Sequence, residues 1–176
     1  MKKEILVHTC CAPCLCYPYE VLKKTFKVCA FWYNPNIHGW REYNKRRMTL
    51  GYYVAKKSGL DIIEQTYDVE NWFKNSKSYD GKERCRACYG IRLNMTAMVA
   101  SNRKIPVFTT TLLYSRFQNF DVIIEEGRKA GQKWDVDFYE EDFRVGWKKG
   151  INYSKREKLY RQEYCGCVFS ERDRYL

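Results

Sequence analysis

Histidine is scarce in this chain: His8 and His38 are the only two in 176 residues. A centre built mainly from imidazole is therefore excluded, and both are read as structural residues. Long uncharged runs are also missing. The longest, residues 5–19, carries two prolines and falls short of the ~18 apolar residues that a membrane-spanning helix needs. The amino terminus has two lysines, then Glu4 and three aliphatic residues, which is not the pattern of a secretory leader. There is no low-complexity tract, no repeat and no linker rich in Pro, Gly and Ser, so residues 1–176 are expected to form a single domain. Acidic residues are outnumbered, with 21 Asp and Glu against 32 Lys and Arg, a net charge of +11.

What is abundant is cysteine, aromatics and positive charge. Nine cysteines is an odd count, and they cluster. In a chain without a leader this argues against a disulfide framework and for metal ligation or redox chemistry in a reducing, cytoplasmic setting. The charge favours a polyanionic partner. Fifteen Tyr and five Trp among the basic groups suit a nucleic acid, whose phosphates pair with cations and whose unpaired bases stack on rings.

Strand-like runs alternate with helical ones. Residues 4–8, 27–33, 60–66, 106–111 and 134–139 read as strands, and 17–26, 41–58, 85–103, 119–129 and 154–164 as helices. The stretch between residue 66 and Cys85 is less regular. This alternation predicts an α/β, Rossmann-like (HUP-like) three-layer fold with a mostly parallel sheet of about five strands. In such sheets ligands bind beyond the carboxyl ends of the strands.

Three groups of thiols fall at such places. "HTCCAPC" (8–14) puts Cys10, Cys11 and Cys14 where the first strand passes into the first helix, whose amino terminus favours thiolates. "ERCRACYGIRL" carries Cys85 and Cys88, one helical turn apart on one face. "YCGCVFS" carries Cys165 and Cys167 around Gly166; a disulfide across one residue is strained and so easily reduced. Cys29 and Cys16 are read as packing residues. Four thiolates in two pairs suit either a closed zinc site or a [4Fe–4S] cluster. The cluster is the better fit, because the domain needs no metal staple and the pairs lie in ligand-binding loops. With Cys10, Cys11, Cys85 and Cys88 as ligands, Cys165 and Cys167 remain as a dithiol and Cys14 is spare. The residues alone thus point to a redox enzyme acting on an anionic substrate.

Taken together, "HTCCAPC", "RCRACYGIRLNMTAMVA", "FTTTLLYS" and "LYRQEYCGCVFS", in this order along nearly the whole chain, resemble the QueH-type epoxyqueuosine reductases. The resemblance implies reduction of epoxyqueuosine to queuosine at the wobble position of a tRNA, the last step of queuosine synthesis. It also implies an iron–sulfur cluster on Cys10, Cys11, Cys85 and Cys88 and a redox-active pair at Cys165 and Cys167. The chain departs from the family pattern after TTTLL, where Ser115-Arg116-Phe117-Gln118 stands in place of a Ser-Pro-Tyr-Lys type of segment.

Turning an epoxide into an alkene takes two electrons and two protons and releases water. A dithiol closing to a disulfide passes two electrons, a cluster one at a time. Cys14 or the Cys165/Cys167 pair is a candidate ligand for a second, mononuclear iron able to act as a Lewis acid. Tyr114, Asp121 and Asp142 are candidate proton donors. Thr110, Tyr114, Ser115 and Gln118 are candidate substrate contacts, and the basic groups at 41–47, 148–149 and 155–158 candidate phosphate contacts. An electron donor is required that the sequence does not identify. Two rival readings stay open: a thioredoxin-like disulfide oxidoreductase using Cys11-Ala-Pro-Cys14, and a zinc-stabilised nucleic-acid-binding module.

Overall fold

A computed structural model describes residues 2–76 and 80–176. Five strands form one parallel sheet in the order β3-β2-β1-β4-β5. They are β1 (Lys3–His8), β2 (Phe26–Trp32), β3 (Asp61–Glu64), β4 (Val107–Thr110) and β5 (Asp137–Phe138). The central strand shows the signature of a sheet covered on both faces: Ile5, Leu6 and Val7 follow one another and all are fully buried. Each contributes roughly 1.5–3 kcal/mol by leaving water.

Among the described residues there are seven α-helices. α1 (Ala12–Leu22) and α2 (Trp40–Ala55) join β1 to β2 and β2 to β3, and α6 (Trp147–Arg156) packs on α1. α3 (Val69–Ser76), α4 (Gly81–Asn102) and α5 (Phe120–Trp134) form a second group, with α4 against β1 and β4. A short α7 (Val168–Tyr175) ends the chain. The expected α/β three-layer class is thus the observed one, and the sheet is wholly parallel.

The sheet order reverses between β1 and its neighbours β2 and β4, the point at which open α/β sheets form their ligand crevice beyond the strand ends. Thr9 and Cys10 leave β1 there, and Thr111 begins a 3-10 turn (Thr111–Tyr114) after β4. Here the chain places its chemistry.

Several element boundaries differ from expectation, each for a local reason. α1 begins at Ala12 instead of residue 17, because Cys11 caps it: its Sγ accepts from Cys14 N at 3.4 Å. Pro13 is tolerated in that first turn. The expected strand 134–139 is reduced to Asp137–Phe138, since α5 runs on to Trp134 and ends with Asp135 in the left-handed region (φ 53°). α3 lies in the stretch read as irregular, and residues 77–79 fall outside the described residues. The expected helix 154–164 is displaced: α6 ends by Arg156, Lys158 takes φ 52°, and residues 159–166 run irregularly toward the crevice.

Candidate thiol-based active site

Cys10, Cys11 and Cys14 meet because the first turn of α1 folds back on the end of β1. Their sulfurs all lie within 4.8 Å of one another. Cys10 N donates to Thr111 Oγ1 at 3.1 Å, and the Thr111 hydroxyl donates to Cys10 Sγ at 3.4 Å, tying β1 to the turn after β4. Gln162 reaches in from the irregular segment, its Nε2 2.9 Å from Cys11 Sγ and 3.9 Å from Cys14 Sγ. These contacts divide the three thiols electrostatically. Hydrogen bonds from Cys11 and Cys14 hold Cys10 well below the usual thiol range, with help from Arg92 and Thr111. Cys11 is pushed up, first by burial, and Cys14 first by its bonds to Cys10 and Cys11. The triad thus favours the anion at Cys10 over Cys11 and Cys14.

Beneath the triad lies a buried cation that sequence reasoning passed over. Arg92 is 1 % exposed. It donates through Nε to His8 Nε2 (3.3 Å) and through Nη2 to Asn34 Oδ1 (3.0 Å), and its Nη1 is 4.0 Å from Cys88 Sγ. Burial opposes its charge, but Cys88, Cys165 and Cys10 together outweigh that and raise its pKa. One guanidinium therefore senses a thiol from each of the three cysteine groups. Its sequence signal was available: Arg92 stands four residues after Cys88, one turn along the same helix face. His8 is fully buried between Arg92 and Thr110, whose Oγ1 is 2.8 Å from His8 Nδ1. Desolvation, then Arg92, lowers it to about 3, so it is a neutral structural ring, as expected of it.

Cys88 is buried near the start of α4, and burial raises its thiol while Arg92 pulls it down. Cys85, one turn earlier, is exposed. Its thiol is also raised, by desolvation and then by Cys88 and Cys167. Cys165, an exposed residue, has its thiol raised chiefly by desolvation, with Arg92 opposing. All nine cysteines are free thiols, so Cys165 and Cys167 stand as a dithiol. Cys16 and Cys29 are buried in the core, as packing residues should be.

The Cys165-Gly166-Cys167 segment is held from below by α2 and the loop before it. Arg46 Nη1 donates to Cys165 O at 2.9 Å and Nη2 to Tyr164 O at 3.2 Å. His38 N donates to Gly166 O, and Val168 N donates back to His38 Nδ1. Gly166 has φ 131°, and a Cβ there would come within 2.9 Å of Ile37 Cγ1 and 3.2 Å of its Cα, so only glycine fits. Cys167 caps α7, its Sγ accepting from Ser170 N.

This arrangement corrects one expectation about the basic run at 41–47. Arg46 is 2 % exposed and ion-paired with Glu42 at 2.6 Å, and Arg47 is paired with Glu64, so neither stands free for a phosphate. The physical reason is that α2 turns Arg46 inward, where three acceptors wait. Arg46→Ala is expected to lower stability by about 3 kcal/mol, because Glu42 loses its buried partner. It should also speed alkylation of Cys165. Arg47→Ala, at a half-exposed pair, should cost under ~1 kcal/mol. Thermal melts and timed iodoacetamide labelling of the two variants check this.

Among the candidate substrate contacts, Thr110 and Tyr114 are buried and bonded internally. Thr110 Oγ1 accepts from Leu112 N, and Tyr114 donates to Trp147 O at 2.9 Å. Ser115 and Gln118 lie nearer the surface, Gln118 Nε2 being 3.5 Å from Cys165 Sγ. Of the candidate proton donors, Asp142 accepts three hydrogen bonds from Arg144, two from the guanidinium and one from the backbone N, and is so held below the usual carboxylate range. Asp121 is exposed on α5.

The donor set suits a thiolate-bound metal: three sulfurs converge, one already favours the anion, and Arg92 offsets negative charge. Moreover, the amides of Gln118 and Gln162 each turn nitrogen toward sulfur and leave a buried Oε1 without a partner. Both oxygens are left able to accept from a group held at the thiols.

Comparison with known proteins agrees with this geometry. A family described as "Epoxyqueuosine reductase QueH" matches residues 5–173. A protein of that name from Haemophilus influenzae is 37 % identical over 178 residues, covering 97 % of this chain and 72 % of the relative. One from Thermotoga maritima is 37 % identical, covering 94 % of this chain and 89 % of its own length. One from Dehalococcoides mccartyi is 33 % identical, covering 99 % and 96 %.

Proposed function

Since the chain belongs to the epoxyqueuosine reductase QueH family, we propose that it reduces epoxyqueuosine to queuosine at the wobble position of a tRNA, in the cytoplasm. The observation that carries this reading is the family match across residues 5–173 together with the three cysteine groups gathered around Arg92. The net charge of +11 suits the polyanionic substrate.

The resident group in this reading is a [4Fe–4S] cluster with Cys10, Cys11, Cys85 and Cys88 as donors. Cys14, in the same pocket, is a further ligand to it or to a second iron. When bound, such a group supplies single electrons and a Lewis-acidic iron for the epoxide oxygen. The chain's own residues account for the remainder. Arg92 favours the anion of Cys10 in a buried place, Thr111 and Gln162 orient the sulfurs, and Cys165 of the dithiol is exposed, where a nucleotide can approach. In the net reaction both epoxide C–O bonds break and a C=C bond forms. The dithiol gives up two electrons and two protons, becoming a disulfide, and the oxygen leaves as water. An electron donor must then restore the dithiol.

The test is direct. Protein purified and reconstituted without oxygen should be brown. With a chemical reductant it should convert epoxyqueuosine in tRNA to queuosine, read by mass spectrometry of the digested nucleosides. Colourless, zinc-loaded protein without conversion would overturn the proposal in favour of a zinc-stabilised module. A colourless protein that reduces disulfides would favour the thioredoxin-like reading.

A further inference from the structure

Beside the dithiol stands an aromatic face that nothing above uses. Phe117 is 86 % exposed. Its ring meets Trp147 edge-on, centroids 5.7 Å apart at 75°, and the Arg116 guanidinium lies 5.7 Å from the same indole. Trp147 is itself fixed from behind by Tyr114, at 5.1 Å. Val145, 78 % exposed, adds apolar surface next to it in the chain. Together the phenyl ring, the indole and Val145 make an exposed apolar patch, and a patch, unlike a single exposed ring, marks a contact surface.

Three features favour one occupant. First, Arg116, Lys148 and Lys149 are exposed and form no ion pair among the described residues, so the rings sit in a field of uncompensated positive charge. By contrast, Arg144 on the neighbouring turn is neutralised by Asp142. Second, the rings are held rather than mobile at the base, since Tyr114 is buried and bonded to Trp147 O. Third, the platform is continuous with the reactive thiols: Gln118, the next residue after Phe117, reaches Cys165 Sγ at 3.5 Å. Exposed rings beside unpaired cations are the elements by which proteins grip unpaired nucleotides.

We infer that Phe117 and Trp147 form a stacking platform for an unpaired base of the substrate RNA, the one beside the modified nucleotide, with Arg116, Lys148 and Lys149 receiving the flanking phosphates. This rests on the tRNA reading above and adds to it a positioning surface. Stacking the neighbouring base there pulls the modified nucleotide out of the loop and toward Cys165.

The experiment uses the full-length protein and a synthetic anticodon stem-loop RNA with 2-aminopurine beside the wobble position. Wild type should bind and quench the fluorophore by stacking. Phe117→Ala should weaken binding by about 5- to 150-fold and abolish the quench, while Phe117→Trp retains both. Melting temperature and iron content should not move, because the ring is outside the core. Wild-type binding with an unchanged Phe117→Ala variant overturns this inference and leaves the proposed function standing. Failure of the wild type to bind overturns both. A Phe117→Ala protein that keeps its RNA affinity but loses self-association, or loses reduction by a protein electron donor, also overturns it, assigning the face to another protein surface.

Discussion

A protein carrying Cys165→Ser and Cys167→Ser is expected to fold, retain its iron and bind tRNA, yet turn over slower by about 10³-fold or more, as when a directly reacting group is lost. The folding half of this expectation follows from how the segment is held. Its anchors are backbone groups, Cys165 O and Gly166 O, which the substitutions leave in place. Serine also keeps an acceptor where Cys167 Sγ caps α7. The catalytic half follows from redox capacity, since two hydroxyls cannot close to a disulfide. Iron analysis, the visible spectrum and epoxyqueuosine conversion on the double variant separate the possibilities. Iron and activity disappearing together would make one of these sulfurs a metal ligand. Turnover at the wild-type rate would remove the pair from the mechanism.

Cys14→Ser is expected to reduce iron content as far as Cys11→Ser does and to abolish conversion. Assigning four ligands to Cys10, Cys11, Cys85 and Cys88 leaves Cys14 spare, but its sulfur lies within 4.8 Å of both Cys10 and Cys11, and Gln162 spans Cys11 and Cys14. A group bound by Cys10 and Cys11 must therefore meet Cys14. Cys16→Ser is the control, because Cys16 points into the core and bonds Ala12 O. Anaerobic reconstitution followed by iron and sulfide assay decides the matter: a Cys14→Ser protein with the wild-type complement of both would exclude Cys14 from the ligands.

The sequence by itself determined the class of fold and the kind of chemistry. Alternating apolar runs at the spacing of strands and crossover helices point to a mostly parallel sheet, and the structure puts β1, with Ile5, Leu6 and Val7, at its centre. Clustered thiols named the chemistry because cysteines in such groups have few other uses. What sequence could not supply was which thiols meet. Cys14 joins Cys10 and Cys11 only because α1 starts at Ala12, and that start depends on a sulfur cap no helix propensity records. Gln162 arrives 151 residues away from Cys11, so no local pattern could mark it, and the helical spacing that puts Arg92 one turn past Cys88 does not show that it also meets His8, 84 residues away. Arg46 shows the reverse. In a run of basic residues it looked like a phosphate contact, but its place on α2 turns it inward onto Glu42 and the carbonyls of Tyr164 and Cys165. Charge is written in the sequence; whether that charge faces solvent, a thiolate or a carbonyl is decided only when the elements pack, because burial and partners, not residue type, set what each group can do.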